Sequence, residues 1–154
     1  MDEENKEEFS VEFTVFDDPV SKERPRTVIK ADRYGRKKAH TYTPSKTKKF
    51  EETVGWVYKS FYGSEKFGKE VPLKVRVEFF LKPPKRGKKE TEKMINGEIR
   101  PVTGKDVDNM AKSVLDGLNG VAYKDDSQVV ELSVGKFYSN FPRTEIRIER
   151  FQGG

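Results

Sequence analysis

Apolar and polar residues alternate or recur with clear periods along most of the chain. Phe9, Val11, Phe13 and Val15 share one face of residues 9–16, which predicts a strand. Val71, Leu73, Val75, Val77, Phe79 and Leu81 alternate with Lys74, Arg76 and Glu78, so residues 71–81 predict another. Residues 129–137 and 143–151 read as two further strands joined by a turn containing Asn140 and Pro142, and residues 39–43 read as a short strand. Two stretches follow the helical period instead. Thr43 as N-cap and Pro44 at the first helical position open a helix carrying Phe50, Val54, Val57, Tyr58 and Phe61, which Gly63 stops. That aromatic stripe reads as core. Ala111, Val114, Leu115 and Leu118 form the apolar face of a second helix, from Asn109 to Asn119-Gly120.

Two stretches have no such period. Residues 17–38 hold Pro19, Pro25 and Gly35, many cations and few apolar anchors, and read as a long basic loop. Residues 82–105 are Lys-rich and punctuated by Pro and Gly, and read as flexible; residues 1–8 read as a disordered acidic leader. The predicted order is ββαβαββ. It defines an α+β fold with a mixed, largely antiparallel sheet covered by helices. At 154 residues the chain is expected to form one domain, residues 1–154.

Composition sharpens this picture. Only 33% of residues are hydrophobic and 37% are charged, but 11 Phe, 6 Tyr and one Trp supply bulk to a core. The absence of cysteine excludes disulfides and thiolate metal sites, and the single histidine, His40, excludes a His-rich zinc site. No stretch is apolar enough to span a membrane, so the simplest address is the cytoplasm. The net charge of +5 is unevenly spread. Residues 1–12 carry six acids and one lysine, residues 21–49 eleven Lys/Arg against two acids, and residues 82–105 eight basic residues against three acids. Two cationic segments in one small domain suit a polyanion such as nucleic acid.

Against that background stands an acidic cluster: Asp106-Val107-Asp108-Asn109, then Lys112, then Asp125-Asp126. Crowded carboxylates repel one another, and a divalent cation offsets that repulsion. If the chain is extended at Asp106 and Asp108, both point the same way. A helix cap at Asp108 or Asn109 would use one side chain, not three. An EF-hand is excluded, because Met110 and Ala111 stand where it needs an oxygen ligand and a glycine. Lys112, four residues after Asp108, suits either a helical ion pair or a contact to a scissile phosphate. The helix from Asn109 to Asn119 is roughly 16 Å long at ~1.5 Å per residue. An extended run from Gly120 to Asp125 reaches roughly 20 Å. The chain can therefore return Asp126, or Asp125, toward Asp108, with Val121 and Tyr123 packing on the way. Such a site suits metal-assisted phosphodiester hydrolysis. Neither Gly-x-Ser-x-Gly nor a Walker A sequence is present, which argues against triad-type acyl transfer and an ATP-driven motor.

The run Asp106-Val107-Asp108-Asn109-Met110-Ala111-Lys112, continuing through Leu115-Asp116-Gly117-Leu118-Asn119-Gly120-Val121 to Tyr123-Lys124-Asp125-Asp126-Ser127-Gln128-Val129 with Lys136 beyond, resembles the RusA-type Holliday junction resolvases. Lys22-Glu23-Arg24-Pro25-Arg26 and Thr41-Tyr42-Thr43-Pro44 support the resemblance. It implies a RusA-like fold and a homodimeric, Mg²⁺-dependent endonuclease, with Mn²⁺ as a substitute metal. Such an enzyme makes paired symmetric nicks in four-way DNA junctions during recombination and repair. The resemblance also implies a bacterial or phage-infected cell. By position, Asp106, Asp108 and Asp126 would bind metal, Asp125 would share their catalytic role, and Lys112 would be the essential lysine. Where many relatives carry Lys-Pro before the first aspartate, this chain has Gly104-Lys105. Arg24, Arg26, Arg33, Arg36 and Lys37 are the leading DNA contacts; phosphate contacts of this kind position DNA without reading its sequence. Two rival readings are a non-catalytic nucleic-acid-binding protein, whose acids merely cap and turn, and a nuclease for flaps or forks.

Overall fold

The computed structural model describes residues 8–21, 26–42 and 45–153. The expected leader, the Thr43-Pro44 cap and Arg24 therefore fall outside the described residues, apart from Glu8. The strands are β1 (Val11–Val15), β2 (Arg26–Ala31), β3 (Lys37–Tyr42), β4 (Leu73–Leu81), β5 (Val129–Tyr138) and β6 (Arg143–Arg150). The helices are α1 (Ser45–Tyr62), α2 (Lys88–Ile95) and α3 (Val107–Leu118), and a 3₁₀ turn at Asp126–Gln128 precedes β5.

Four strands form one sheet in the order β1-β6-β4-β5. The β4–β5 pair is parallel and the others are antiparallel. A parallel pair needs a long crossover, and here residues 82–128, including α2 and α3, provide it. The α+β class with a mixed, largely antiparallel sheet is as expected.

One face of the sheet is apolar because alternate residues point to it. Val11, Phe13 and Val15 of β1, Leu73, Val75, Val77 and Phe79 of β4, and Ile146 and Ile148 of β6 are buried there. They meet Phe50, Val54 and Tyr58 of α1 and Met110, Val114 and Leu118 of α3. The aromatic stripe of α1 is thus divided. Phe50 and Tyr58 are core, whereas Phe61 is 68% exposed and Trp56, between the predicted stripe positions, is 79% exposed. The Tyr58 hydroxyl donates to the Glu65 carbonyl at 2.6 Å, and burial followed by the Glu65 charge pushes its pKa up to about 12.

The two core helices cross closely at a pair of glycines. A Cβ at Gly117 would stand 2.7 Å from the Glu51 carbonyl oxygen of α1, and one at Gly55 would stand 3.2 Å from the Gly117 carbonyl oxygen. Larger residues at this crossing would push α3 away from α1.

Two stretches depart from the sequence expectation. The supposed basic loop, residues 17–38, contains β2 and the first two residues of β3, whose remainder is the short strand expected at residues 39–43; β2 and β3 pair antiparallel from Arg26↔Tyr42 to Ala31↔Lys37, so the observed order is βββαβααββ. The strands pair with each other and none of their described side chains is buried, which is why no hydrophobic alternation announced β2. The supposedly flexible Lys-rich stretch contains α2, which buries only Met94 among its eight residues. One buried residue is too few to print a helical period.

Candidate functional site

Helix α3 carries two faces at once. Met110, Ala111, Ser113, Val114, Gly117 and Leu118 are buried, while Asp108, Lys112 and Asp116 follow each other at four-residue spacing on another face. The helix starts at Val107, two residues earlier than its apolar pattern predicts. Asp106 therefore holds the N-cap position in an extended conformation, and its carbonyl accepts from the Met110 N–H at 3.0 Å. Its side chain makes no capping hydrogen bond. The extended geometry assumed for the Asp106–Asp108 pair is thus replaced by an N-cap residue followed by a residue in the first turn. Both carboxylates are exposed at the positive end of the helix dipole.

The Lys112 ammonium lies 3.0 Å from an Asp116 carboxylate oxygen and 3.0 Å from an Asp126 carboxylate oxygen. The hydrogen bonds it donates to these two acids, Asp126 first, raise its pKa above the usual lysine value. Asp116 and Asp126 are the more sheltered partners, with side chains 18% and 24% exposed against 52% for Lys112. Asp116 escaped the sequence reading, although its four-residue offset from Lys112 was a usable signal.

The neighbouring aspartates 125 and 126 do different work. The Asp125 side chain caps the 3₁₀ turn by accepting from the Ser127 N–H at 3.2 Å, and bonding to Ser127 lowers its pKa. Gln128 closes the box by accepting from the Lys124 and Asp125 N–H groups, and its own amide donates to the carbonyls of Gly68 and Val71. With Asp125 committed to the backbone, Asp126 is the acid that faces α3.

The return of the chain to α3 is shorter than the extended-chain estimate assumed. Residues 119–123 curl into a tight turn, with the Gly120 N–H donating to the Tyr123 carbonyl at 2.8 Å. Tyr123 does pack on the way, fully buried, and its hydroxyl donates to the Leu115 carbonyl at 2.8 Å. Burial, then the charges of Asp126, Asp116 and Asp125, push its pKa up. The curl brings Asp126 to Lys112, about one helical turn beyond Asp108. Among the described residues no three Asp, Glu or His side chains are gathered closely enough to hold a metal ion. Asp106 and Asp108 on one side, and Asp126 with Lys112 and Asp116 on the other, are therefore two neighbouring groups. The donor chemistry still suits Mg²⁺, which binds through one or two carboxylates, with water and substrate phosphate oxygens completing its shell.

The entry to α3 is fastened from several directions. Gly104 takes φ +86°, which suits a residue without a Cβ. The Lys105 ammonium donates to the Pro19 carbonyl, and the Lys136 ammonium donates to the Lys105 carbonyl at 2.9 Å. Burial, then the Lys46 charge, lowers the Lys105 pKa. Arg100 lies 3.8 Å over the Phe137 ring and donates to the Lys136 carbonyl at 3.0 Å. The buried Ser113 hydroxyl shares its proton between the carbonyls of Val20 and Met110, at 2.8 and 2.7 Å. The chain just before the β2–β3 hairpin is thereby tied to the helix that bears the acids. Ser113, Lys136 and Gln128 hold this framework through these bonds; Gln128 and Lys136 belong to the run that carries the family resemblance, whereas no sequence pattern marks Ser113.

Of the expected DNA contacts, Arg33 and Arg36 lie at the turn of the hairpin and Lys37 opens β3, all exposed. Arg26 begins β2, but its side chain, like Arg24, lies outside what the structure describes.

A mixed sheet, a crossover helix with a carboxylate–lysine face and a cationic hairpin tied to that helix together define the class. The family model "Endodeoxyribonuclease RusA" matches residues 18–149, and the chain belongs to that family. Family membership supports a nuclease acting on DNA. The chain is also 40% identical over 141 residues to "Uncharacterized protein YqaN" of Bacillus subtilis (strain 168), covering 90% of this chain and 94% of that protein. Among the described residues no helix is long and apolar enough to cross a membrane.

Proposed function

We propose that the protein is a Mg²⁺-dependent endonuclease that resolves four-way DNA junctions by paired symmetric nicks. The observation that carries this reading is the α3 face, where Lys112 is held between Asp116 and Asp126 one turn beyond Asp108, in a member of the RusA family. Asp106 and Asp108 would hold the metal, with Asp126 nearby and Asp125 fixing the turn that presents it. When bound, Mg²⁺ supplies charge neutralisation at the phosphate and an activated water. Lys112 contributes a cation of fixed position, which suits charge developing on the scissile phosphate. The cationic hairpin holds the DNA backbone. A two-fold homodimer would match two such sites to the two symmetric cuts of a two-fold junction.

The test compares a synthetic four-way junction with a flap, a fork and a linear duplex, each with and without Mg²⁺. Symmetric nicks in the junction, requiring Mg²⁺ and at least about ten-fold faster than on the other substrates, are expected. Preference for the flap or fork would replace the substrate assignment. Binding without cleavage of any of the four would replace the enzyme by a binding protein. Sedimentation at working concentration should give a dimer; a monomer contradicts the paired-site arrangement.

A further inference from the structure

No described side chain of the β2–β3 hairpin belongs to the buried core. Its strands pair only with each other, Ile29 is 68% exposed and Tyr34, at the turn, is 80% exposed. An isolated two-stranded hairpin is marginal in water, so an arm of this kind is completed by what it binds. Its turn is nevertheless well specified. Asp32 accepts from the Tyr34 and Arg36 N–H groups at 2.9 and 2.7 Å, and its backbone pairs with Arg36 and Gly35. Gly35 takes φ +76° with open space around it, so the turn needs glycine for its backbone and not for packing.

That turn also settles the charge of the arm. Asp32 is its one acid, and the carboxylate is engaged by backbone amides. Lys30, Arg33, Arg36, Lys37 and Lys38 are all exposed cations. Tyr34 therefore stands at the end of a cationic ribbon, between two arginines, with its ring in solvent. The complementary partner is a polyanion that offers flat apolar faces, which describes DNA with accessible bases.

Resting on the junction-resolving reading above, we propose that Tyr34 is a base-stacking wedge. The ribbon lies along a DNA groove with its cations on the phosphates, and the Tyr34 ring stacks on a base at the branch point. In continuous duplex, insertion of an apolar side chain requires unstacking a base step, which costs a few kcal/mol. At a branch point the helical stack is already interrupted, so the ring stacks without that cost. The arm then favours branched DNA over duplex with no sequence reading at all. A two-stranded ribbon is of a size that the major groove admits.

The experiment uses the full-length protein without divalent metal, so that no DNA is cut. A four-way junction carrying 2-aminopurine at the branch point reports stacking by fluorescence, and a matched duplex serves as control. Wild type and Tyr34→Phe are expected to change the fluorescence of the junction on binding. Tyr34→Ala is expected to abolish that change and to weaken junction binding about ten-fold, the equivalent of one lost stack, while duplex binding moves less than about two-fold. Because Tyr34 is 80% exposed, the circular dichroism and melting of Tyr34→Ala should match wild type. A Tyr34→Ala protein that still changes the fluorescence overturns the wedge, as does equal weakening on junction and duplex. So does a shift in oligomeric state with the fluorescence unaltered, which would assign Tyr34 to a second copy of the chain. Junction nicking by wild type in Mg²⁺, measured separately, tells failure of the wedge from failure of the resolvase reading.

Discussion

The β2–β3 arm and the α3 segment with its 3₁₀ turn are the two regions to which the proposed function assigns work, and they are held by opposite means. Helix α3 is fixed by burial: one face is sealed against α1 and the sheet, and Gly117 sits against the α1 backbone. The arm is fixed by its own hydrogen bonds, with Asp32 and Gly35 specifying an exposed turn. The difference follows from the tasks assigned to them. Acids and a lysine that act on one phosphate need rigid placement, which a packed helix gives. A contact surface for a large polyanion gains by standing clear of the core.

This contrast makes the arm and the helix respond differently to mutation. The largest structural effect is expected at the helix crossing. Gly117→Ala forces a Cβ onto the Glu51 carbonyl and should cost about 1–3 kcal/mol, with a fall in melting temperature of roughly 3–10 °C. Gly35→Ala meets no atom but strains the positive φ of the turn, at about 1 kcal/mol; because β2 and β3 pair only with each other, that strain should loosen the hairpin and move the global melting temperature by less than about 2 °C. A Gly35→Ala melt that drops as far as that of Gly117→Ala would dissolve the distinction.

Next in size is the tie between the two regions. Ser113→Ala leaves the buried Val20 carbonyl without its donor and should cost about 1–2 kcal/mol in denaturant unfolding. Junction binding should weaken with it if the tie sets the root of the arm. Smaller again, Arg33→Ala and Arg36→Ala should each leave stability unchanged. Each should lower the slope of log binding constant against log salt by about one on duplex and junction alike. Unequal effects on the two DNAs would show that these arginines contact more than phosphate.

The smallest expected effect is acid-dependent. Bonding to Ser127 holds the folded-state pKa of Asp125 below 3.8, so its stabilising contribution is present above pH 3.8 and is lost as pH falls through the folded value. Wild type should therefore exceed Asp125→Asn in stability at neutral pH, and the gap should close in acid. A gap that stays constant below pH 3 would place the stabilisation elsewhere.

The same contrast explains what the sequence disclosed. Strands β1 and β4 and helices α1 and α3 bury alternate or helically spaced residues, so burial wrote their periods into the chain. No described side chain of the arm is buried, so β2 read as loop and β3 showed only as the short strand at residues 39–43; α2 buries only Met94 and read as loop. In the site, Asp106, Asp108, Lys112, Asp125 and Asp126 were visible because they are close in sequence. The capping role of Asp125, the approach of Asp116 to Lys112 and the hold of Lys136 on the Lys105 backbone depend on the 119–123 curl and the sheet register. No local pattern encodes either.

The most direct test of the division between cutting helix and holding arm is a paired measurement on Asp108→Asn. Asp108 is exposed and buries nothing, so the variant should fold as wild type. It should bind a four-way junction within about two-fold of wild type and lose at least about 100-fold of its Mg²⁺-dependent nicking. Nicking at the wild-type rate by Asp108→Asn would contradict the account.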